Sequence, residues 1–250
     1  FVIGYAPSLT LALNTAPRRG ARPVRVAVVS DPVYASDDQR LARSGSGGNL
    51  RSPPARSPHN LTRLPYSSLE ARTVARVMGA DNTVQIEGFD ATLARVLQLE
   101  RENLAVLHFA THAVARRDLP EQSALYLSEY SREGELLDDS RLTASRITRS
   151  GLHADVVVLS GCATGDGSEL RGEGVLGLTY GFLANGSRSV VAALWPIEDA
   201  STARFMNEFY RAYRESGKAA EALRTAQLRT RDSAKAAMWS SFVVRANGFP

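Results

Sequence analysis

Leu104–Ala110 reads LAVLHFA and is followed by Thr111 and His112; Asp155–Ser160 reads DVVVLS and is followed by Gly161 and Cys162. Each is a short, continuous apolar run, the pattern of a strand buried on both faces. Working outward, Val24–Ser30 (VRVAVVS), Thr83–Glu87 (TVQIE) and Ser189–Leu194 (SVVAAL) have the same character, with Ser241–Arg245 (SFVVR) a weaker sixth. The segments between them carry helical period. Ser68–Met78 has Leu69, Val74, Val77 and Met78, with Ser67 or Ser68 placed to cap it. Asp90–Leu99 follows an Asp cap, and Val175–Ala184 is apolar nearly all round, which predicts a buried helix. Ser201–Glu215 places Phe205, Phe209 and Tyr213 at i, i+4 and i+8, and Ala219–Arg229 carries Ala222, Leu223, Ala226 and Leu228. Strand and helix alternate, which predicts an α/β fold: a mostly parallel central sheet of six strands with helices on both faces. Leu125–Leu127 reads as a small strand inserted after the third main one.

The 250 residues are 44% hydrophobic and 22% charged, which excludes collagen, a disordered tail and a coiled coil and suits a single domain over residues 1–250. No apolar run approaches the roughly 18 residues that cross a bilayer, so no membrane partner is expected. Lys+Arg 30 against Asp+Glu 26 gives a net charge of +4, spread along the chain as a solvated face and not as a nucleic-acid patch. Cys162 is the single cysteine, which rules out an intramolecular disulfide and fits a reducing, cytoplasmic setting. The chain begins at Phe1 with no signal-peptide pattern and reads as the C-terminal module of something longer. Asp37–Pro65, with SGSGG, three prolines before its last residue and five arginines, lacks apolar period and reads as a long, mobile surface loop.

In an open parallel sheet, ligands bind outside the carboxyl ends of the strands. Two successive parallel strands would therefore deliver His112 and Cys162 to one edge of the sheet. An imidazole beside a thiol can take its proton and generate the thiolate nucleophile. The small residues Ala113 and Gly161 would let backbone N–H groups approach a developing oxyanion. The histidine comes first and the cysteine 50 residues later, a separation seen in caspases. His108 lies inside its strand, facing away from Phe109, and reads as structural; His153 precedes a strand, at the wrong end of the sheet; His59 falls in the long loop. Gly172-Glu-Gly174-Val-Leu-Gly177 is a literal G-x-G-x-x-G, but a polar loop separates it from the strand end, so close packing of a loop and helix is favoured over nucleotide binding. One cysteine and dispersed histidines give no metal cluster.

Taken together, LHFATHA, VVVLSGCATG, GEGVLGLTYGFLANGSRSVVAALWPIEDAST and AAEALRTAQL resemble the CHAT domain, a caspase-like cysteine peptidase module often found after TPR repeats; YAPS at Tyr5–Ser8 and SDP at Ser30–Pro32 fit its opening. The resemblance implies a caspase/separase-type fold and a His–Cys dyad hydrolysing peptide bonds in protein substrates, with His112 as base and Cys162 as nucleophile. It implies no cofactor, although some caspase relatives depend on calcium. Trp195-Pro196 with Glu198 and Asp199 would border the substrate cleft. An N-terminal region, such as helical repeats, would hold the peptidase idle until an activating partner protein binds, and activation could alternatively involve cleavage in Asp37–Pro65 or Arg116–Arg149. Three residues depart from the family's usual form: Ala113 replaces a glycine, and Gly161 and Ala163 replace an alanine and a glutamate. Neither dyad member is lost. The rival expectations are a non-catalytic interaction scaffold and, less favoured, a nucleotide-binding domain.

Overall fold

The computed structural model describes residues 24–42, 59, 61–116, 118–161, 174–195, 197–232 and 239–247. The six apolar runs all form strands of one sheet. In chain order the elements are β1 (Arg25–Ser30), α1 (Gln39–Ala42), α2 (Pro65–Met78), β2 (Thr83–Glu87), α3 (Leu93–Leu97), β3 (Leu104–Ala110) and β4 (Ala113–Val114). They continue with β5 (Ala124–Tyr126), β6 (Arg141–Thr143), α4 (Ala144–Ser150), β7 (Ala154–Leu159), α5 (Gly174–Ala184), β8 (Ser189–Ala193), α6 (Asp199–Ser216), α7 (Ala219–Thr230) and β9 (Phe242–Ala246). The main sheet has the order β2-β1-β3-β7-β8-β9, and β4, β5 and β6 form a small antiparallel sheet. All pairs of the main sheet are parallel except β8 with β9.

Because side chains alternate along a strand, each central strand feeds two cores. Ala27, Val29, Leu107, Phe109, Val157 and Leu159 face α3, α4, α5 and the small sheet. Val26, Val28, Val106, Val156 and Val158 face α2, α6 and α7. Burial on both faces is why these strands read as continuous apolar runs. The aromatic period of α6 turns Phe205 and Phe209 into the second core, where Phe205 stacks on Phe242 of β9 at 4.9 Å between ring centroids.

Several local expectations are corrected. Leu69 and Leu228, counted among the apolar faces of their helices, are exposed, while Val74 is buried as expected, together with Ala71 and Ala75 of α2. Leu64 occupies the N-cap position of α2 with Pro65 in its first turn, so neither Ser67 nor Ser68 caps it. The cap of α3 is Thr92, whose side chain accepts from the Arg95 N–H, not Asp90. The helix α5 is not buried all round: Leu178, Phe182 and Leu183 are inside while Tyr180 is exposed. Helix α4 was not foreseen, although Thr143 caps it and Gly151 ends it in the left-handed region at φ 73°, a pairing of signals legible in principle. Within Asp37–Pro65 the described residues are not a featureless loop: Gln39–Ala42 is helical and Leu61 packs with Tyr34, Ala124 and Tyr126. No helix among the described residues is long and apolar enough to cross a membrane.

Candidate active site

The sheet order decides the site. With β3 and β7 adjacent, Phe109 pairs with Leu159, and the Ser160 N–H extends the ladder to the Phe109 carbonyl at 3.0 Å. The next residues, Thr111 and Gly161, then touch. A Cβ on Gly161 would fall 1.5 Å from the Thr111 carbonyl oxygen, so only glycine lets the exits approach this closely. The alanine that the CHAT resemblance leads one to expect here would collide with that carbonyl. Cys162 lies outside the described residues, but it is bonded to Gly161, as His112 is to Thr111.

His112 is 4% exposed. Its Nε2 lies 2.6 Å from the carbonyl oxygen of Thr62. A carbonyl only accepts, so Nε2 carries the proton and Nδ1 is the ring's acceptor. The backbone N–H of His112 donates to the Tyr34 hydroxyl, which in turn donates to the Tyr126 carbonyl, both at 3.2 Å. The Tyr34 ring tilts against the imidazole at 5.1 Å. Burial pushes the His112 pKa below its ordinary value, against the opposing effect of the Thr62 carbonyl. Burial therefore favours the neutral imidazole.

Thr62 was not foreseen, since it acts through a backbone atom, which leaves no residue signature. What holds its segment is visible in the structure. Arg63 donates from Nε and Nη2 to the two carboxylate oxygens of Asp31 at 2.9 and 2.7 Å, and Arg40 approaches the same carboxylate at 3.0 Å. Asp31 follows β1 with φ 45°, the one non-glycine residue in the left-handed region among the described residues. Its N–H donates to Ser67 Oγ at 2.9 Å, which explains why that serine does not cap α2. Ala113 is not in that region, so its replacement of the family's glycine introduces no backbone strain. The bond from the Tyr126 N–H to the His112 carbonyl, with Ala113 opposite Leu125, turns the Ala113 N–H away from β5.

A cleft of about 120 Å³ opens at these exits, lined among others by Ser67, Glu70, His112, Gly161, Asp199 and Thr202. Glu70, on α2, is a second residue not foreseen; a lone acid in an amphipathic helix reads as solvated. Asp199 lines the cleft from the start of α6, and its carboxylate accepts the Tyr66 N–H at 2.8 Å. Glu198 is exposed and accepts from the Ser201 hydroxyl, and it does not line the cleft. Trp195 is partly buried, and Pro196 lies outside the described residues. Of the other histidines, His108 is fully buried, with Nδ1 2.8 Å from the Tyr210 hydroxyl. His153 Nδ1 is 2.7 Å from the Gly151 carbonyl ahead of β7, and His59 Nδ1 is 2.6 Å from Glu129. In the glycine-rich motif, Gly172 lies outside the described residues; a Cβ on Gly177 would fall 2.3 Å from the Pro120 carbonyl, so this glycine serves helix packing. No group of three or more metal-ligating side chains occurs among the described residues.

Comparison with known proteins agrees with this architecture. Human tetratricopeptide repeat protein 28 is 27% identical over 215 residues, 72% of this chain but 8% of that protein. The mouse protein of the same name is 34% identical over 82 residues, 33% of this chain and 3% of its own. The chain thus spans a small part of the relatives it matches. Among solved structures, the Arg-specific cysteine proteinase gingipain R superposes with a TM-score of 0.51 at 9% identity, covering 90% of this chain and 46% of that one. At that identity the likeness is one of fold, and the fold is caspase-like. The CHAT domain profile matches residues 1–246, and the chain belongs to the CHAT domain family.

Proposed function

We propose that this domain is a cysteine endopeptidase with His112 as base and Cys162 as nucleophile. The observation that carries the reading is the contact of Gly161 with Thr111, because it puts the residue before each dyad member against the other. In this reaction His112 Nδ1 takes the Cys162 thiol proton, and the Thr62 carbonyl stabilises the imidazolium through Nε2–H. The thiolate attacks the scissile carbonyl, and the backbone N–H groups of Gly161 and Ala113 are the candidate donors to the oxyanion. The tetrahedral adduct collapses as His112 returns the proton to the leaving amine. Water, activated by the same imidazole, then hydrolyses the thioester and frees the thiol. The substrate is a protein segment extended along the cleft, and a repeat region or partner protein controls its access. Glu198, exposed and next in sequence to Asp199, is the candidate for substrate contact outside the cleft.

The test is labelling by a peptide carrying a thiol-directed warhead. Modification at Cys162 is expected, and His112→Ala should slow it by about 10²–10⁴-fold, the usual contribution of a general base. An unchanged rate in that variant, together with no cleavage of a peptide library by the full-length protein, would overturn the reading in favour of a binding scaffold.

A further inference from the structure

The cleft beside His112 has a chemical bias of its own. Two carboxylates line it, Glu70 and Asp199, and no lysine or arginine does so among the described residues. Glu70 is 1% exposed, and its Oε1 has no hydrogen-bond partner among the described residues. That oxygen lies 2.8 Å from His108 Nε2, close enough to pair with a protonated imidazole but not placed for a ring N–H hydrogen bond. His108 Nε2 also lies 3.2 Å from Ser160 Oγ, and its Nδ1 faces Tyr210. Glu70 is therefore a buried carboxylate whose hydrogen-bonding capacity is incompletely used, a costly arrangement in the absence of a ligand.

Asp199 shares the problem. Burial raises its pKa, the Tyr66 N–H opposes this, and the negative charges of Glu70 and Asp31 raise it further. Asp31 already has Arg40 and Arg63 on its carboxylate, whereas among the described residues neither cleft acid is paired with a guanidinium. The remaining walls include Leu64, Ala110 and Ile197. Apolar walls leading to a pair of acids match a side chain with an aliphatic stem and a cationic head. A divalent ion would require more oxygen ligands than this and would leave the apolar walls unused.

We infer that this cleft is the pocket for the substrate residue preceding the scissile bond and that it selects arginine or lysine there, through Glu70 and Asp199. The inference rests on the peptidase reading above and adds the substrate class. A basic head group placed between the two carboxylates would satisfy Glu70 and offset the repulsion, while the residue's carbonyl stays at the Gly161 exit.

The experiment compares peptides differing at that one position, using the full-length protein. The kcat/KM for arginine is expected to exceed that for norleucine by about 100-fold or more, since a site built for a polar group strongly rejects an analogue lacking it. In Asp199→Asn and in Glu70→Gln that ratio should fall about tenfold or more. Since Glu70→Gln could compromise folding, its melting temperature is measured alongside, and Asp199→Asn carries the test if it unfolds. If no peptide is turned over, protection of Cys162 from iodoacetamide by agmatine is the readout, expected in the wild type and weakened in Asp199→Asn. Equal cleavage after norleucine and arginine would overturn the basic pocket and leave the peptidase standing. Protection by magnesium or calcium but not by agmatine would also overturn it, in favour of an ion site.

Discussion

Asp31→Asn is the most informative single change away from the dyad. The side chain is 3% exposed and receives two hydrogen bonds from Arg63, at 2.9 and 2.7 Å, with Arg40 at 3.0 Å. Asparagine, like aspartate, tolerates the left-handed backbone that this position adopts, so the substitution isolates the charge from the strain. A charge-assisted hydrogen bond contributes about 1.5–3 kcal/mol when sheltered. Arg63 is 45% exposed, and solvent screening cuts its share towards the surface range, below about 1 kcal/mol. Arg40, at 20% exposure, keeps more of its share. The amide NH2 would also face a guanidinium, with nothing to accept its protons. A loss of about 2–3 kcal/mol follows, a large part of the 5–15 kcal/mol typical of a domain. Urea unfolding with an unchanged m-value measures it. The functional consequence runs through Thr62, the residue beside Arg63, whose carbonyl orients His112. A displacement near 1 Å in such a group costs about 10²-fold in rate, so warhead labelling of Cys162 should slow by at least tenfold. A variant within about 0.5 kcal/mol of wild type, with an unchanged labelling rate, would show that the Asp31–Arg63 pair positions nothing.

Labelling of Cys162 should fall on acidification with a midpoint below 6.5, because burial lowers the His112 pKa and the neutral ring is the base; a midpoint above 6.5 would contradict it. The same shift favours the folded state above the unfolded-state value near 6.5, and that contribution is lost as pH falls through the folded-state pKa, which unfolding at a series of pH values will report. Tyr210→Phe removes the hydroxyl beside His108 Nδ1 in a fully buried setting, and a loss of about 1–3 kcal/mol is expected by denaturant titration; no loss would mean the pair is not hydrogen-bonded in solution.

The strands were legible because burial on both faces forces an unbroken apolar run, and Thr83–Glu87 and Leu104–Ala110 fall where the sequence puts them. The long amphipathic helix around Phe205 and Phe209 was legible for a related reason: one buried face imposes a period near four. His112 and Gly161 could be singled out because strand exits are where an open α/β sheet places its chemistry. Tertiary structure alone decided that β3 and β7 are neighbours, since strand order is a matter of non-local pairing that no local pattern encodes. It alone supplied Thr62, an acceptor on the backbone, and Glu70, an acid on an ordinary helix made unusual by what packs over it. Side-chain period records which face is buried. It does not record which groups from distant segments meet on that face, and the site is built from such meetings.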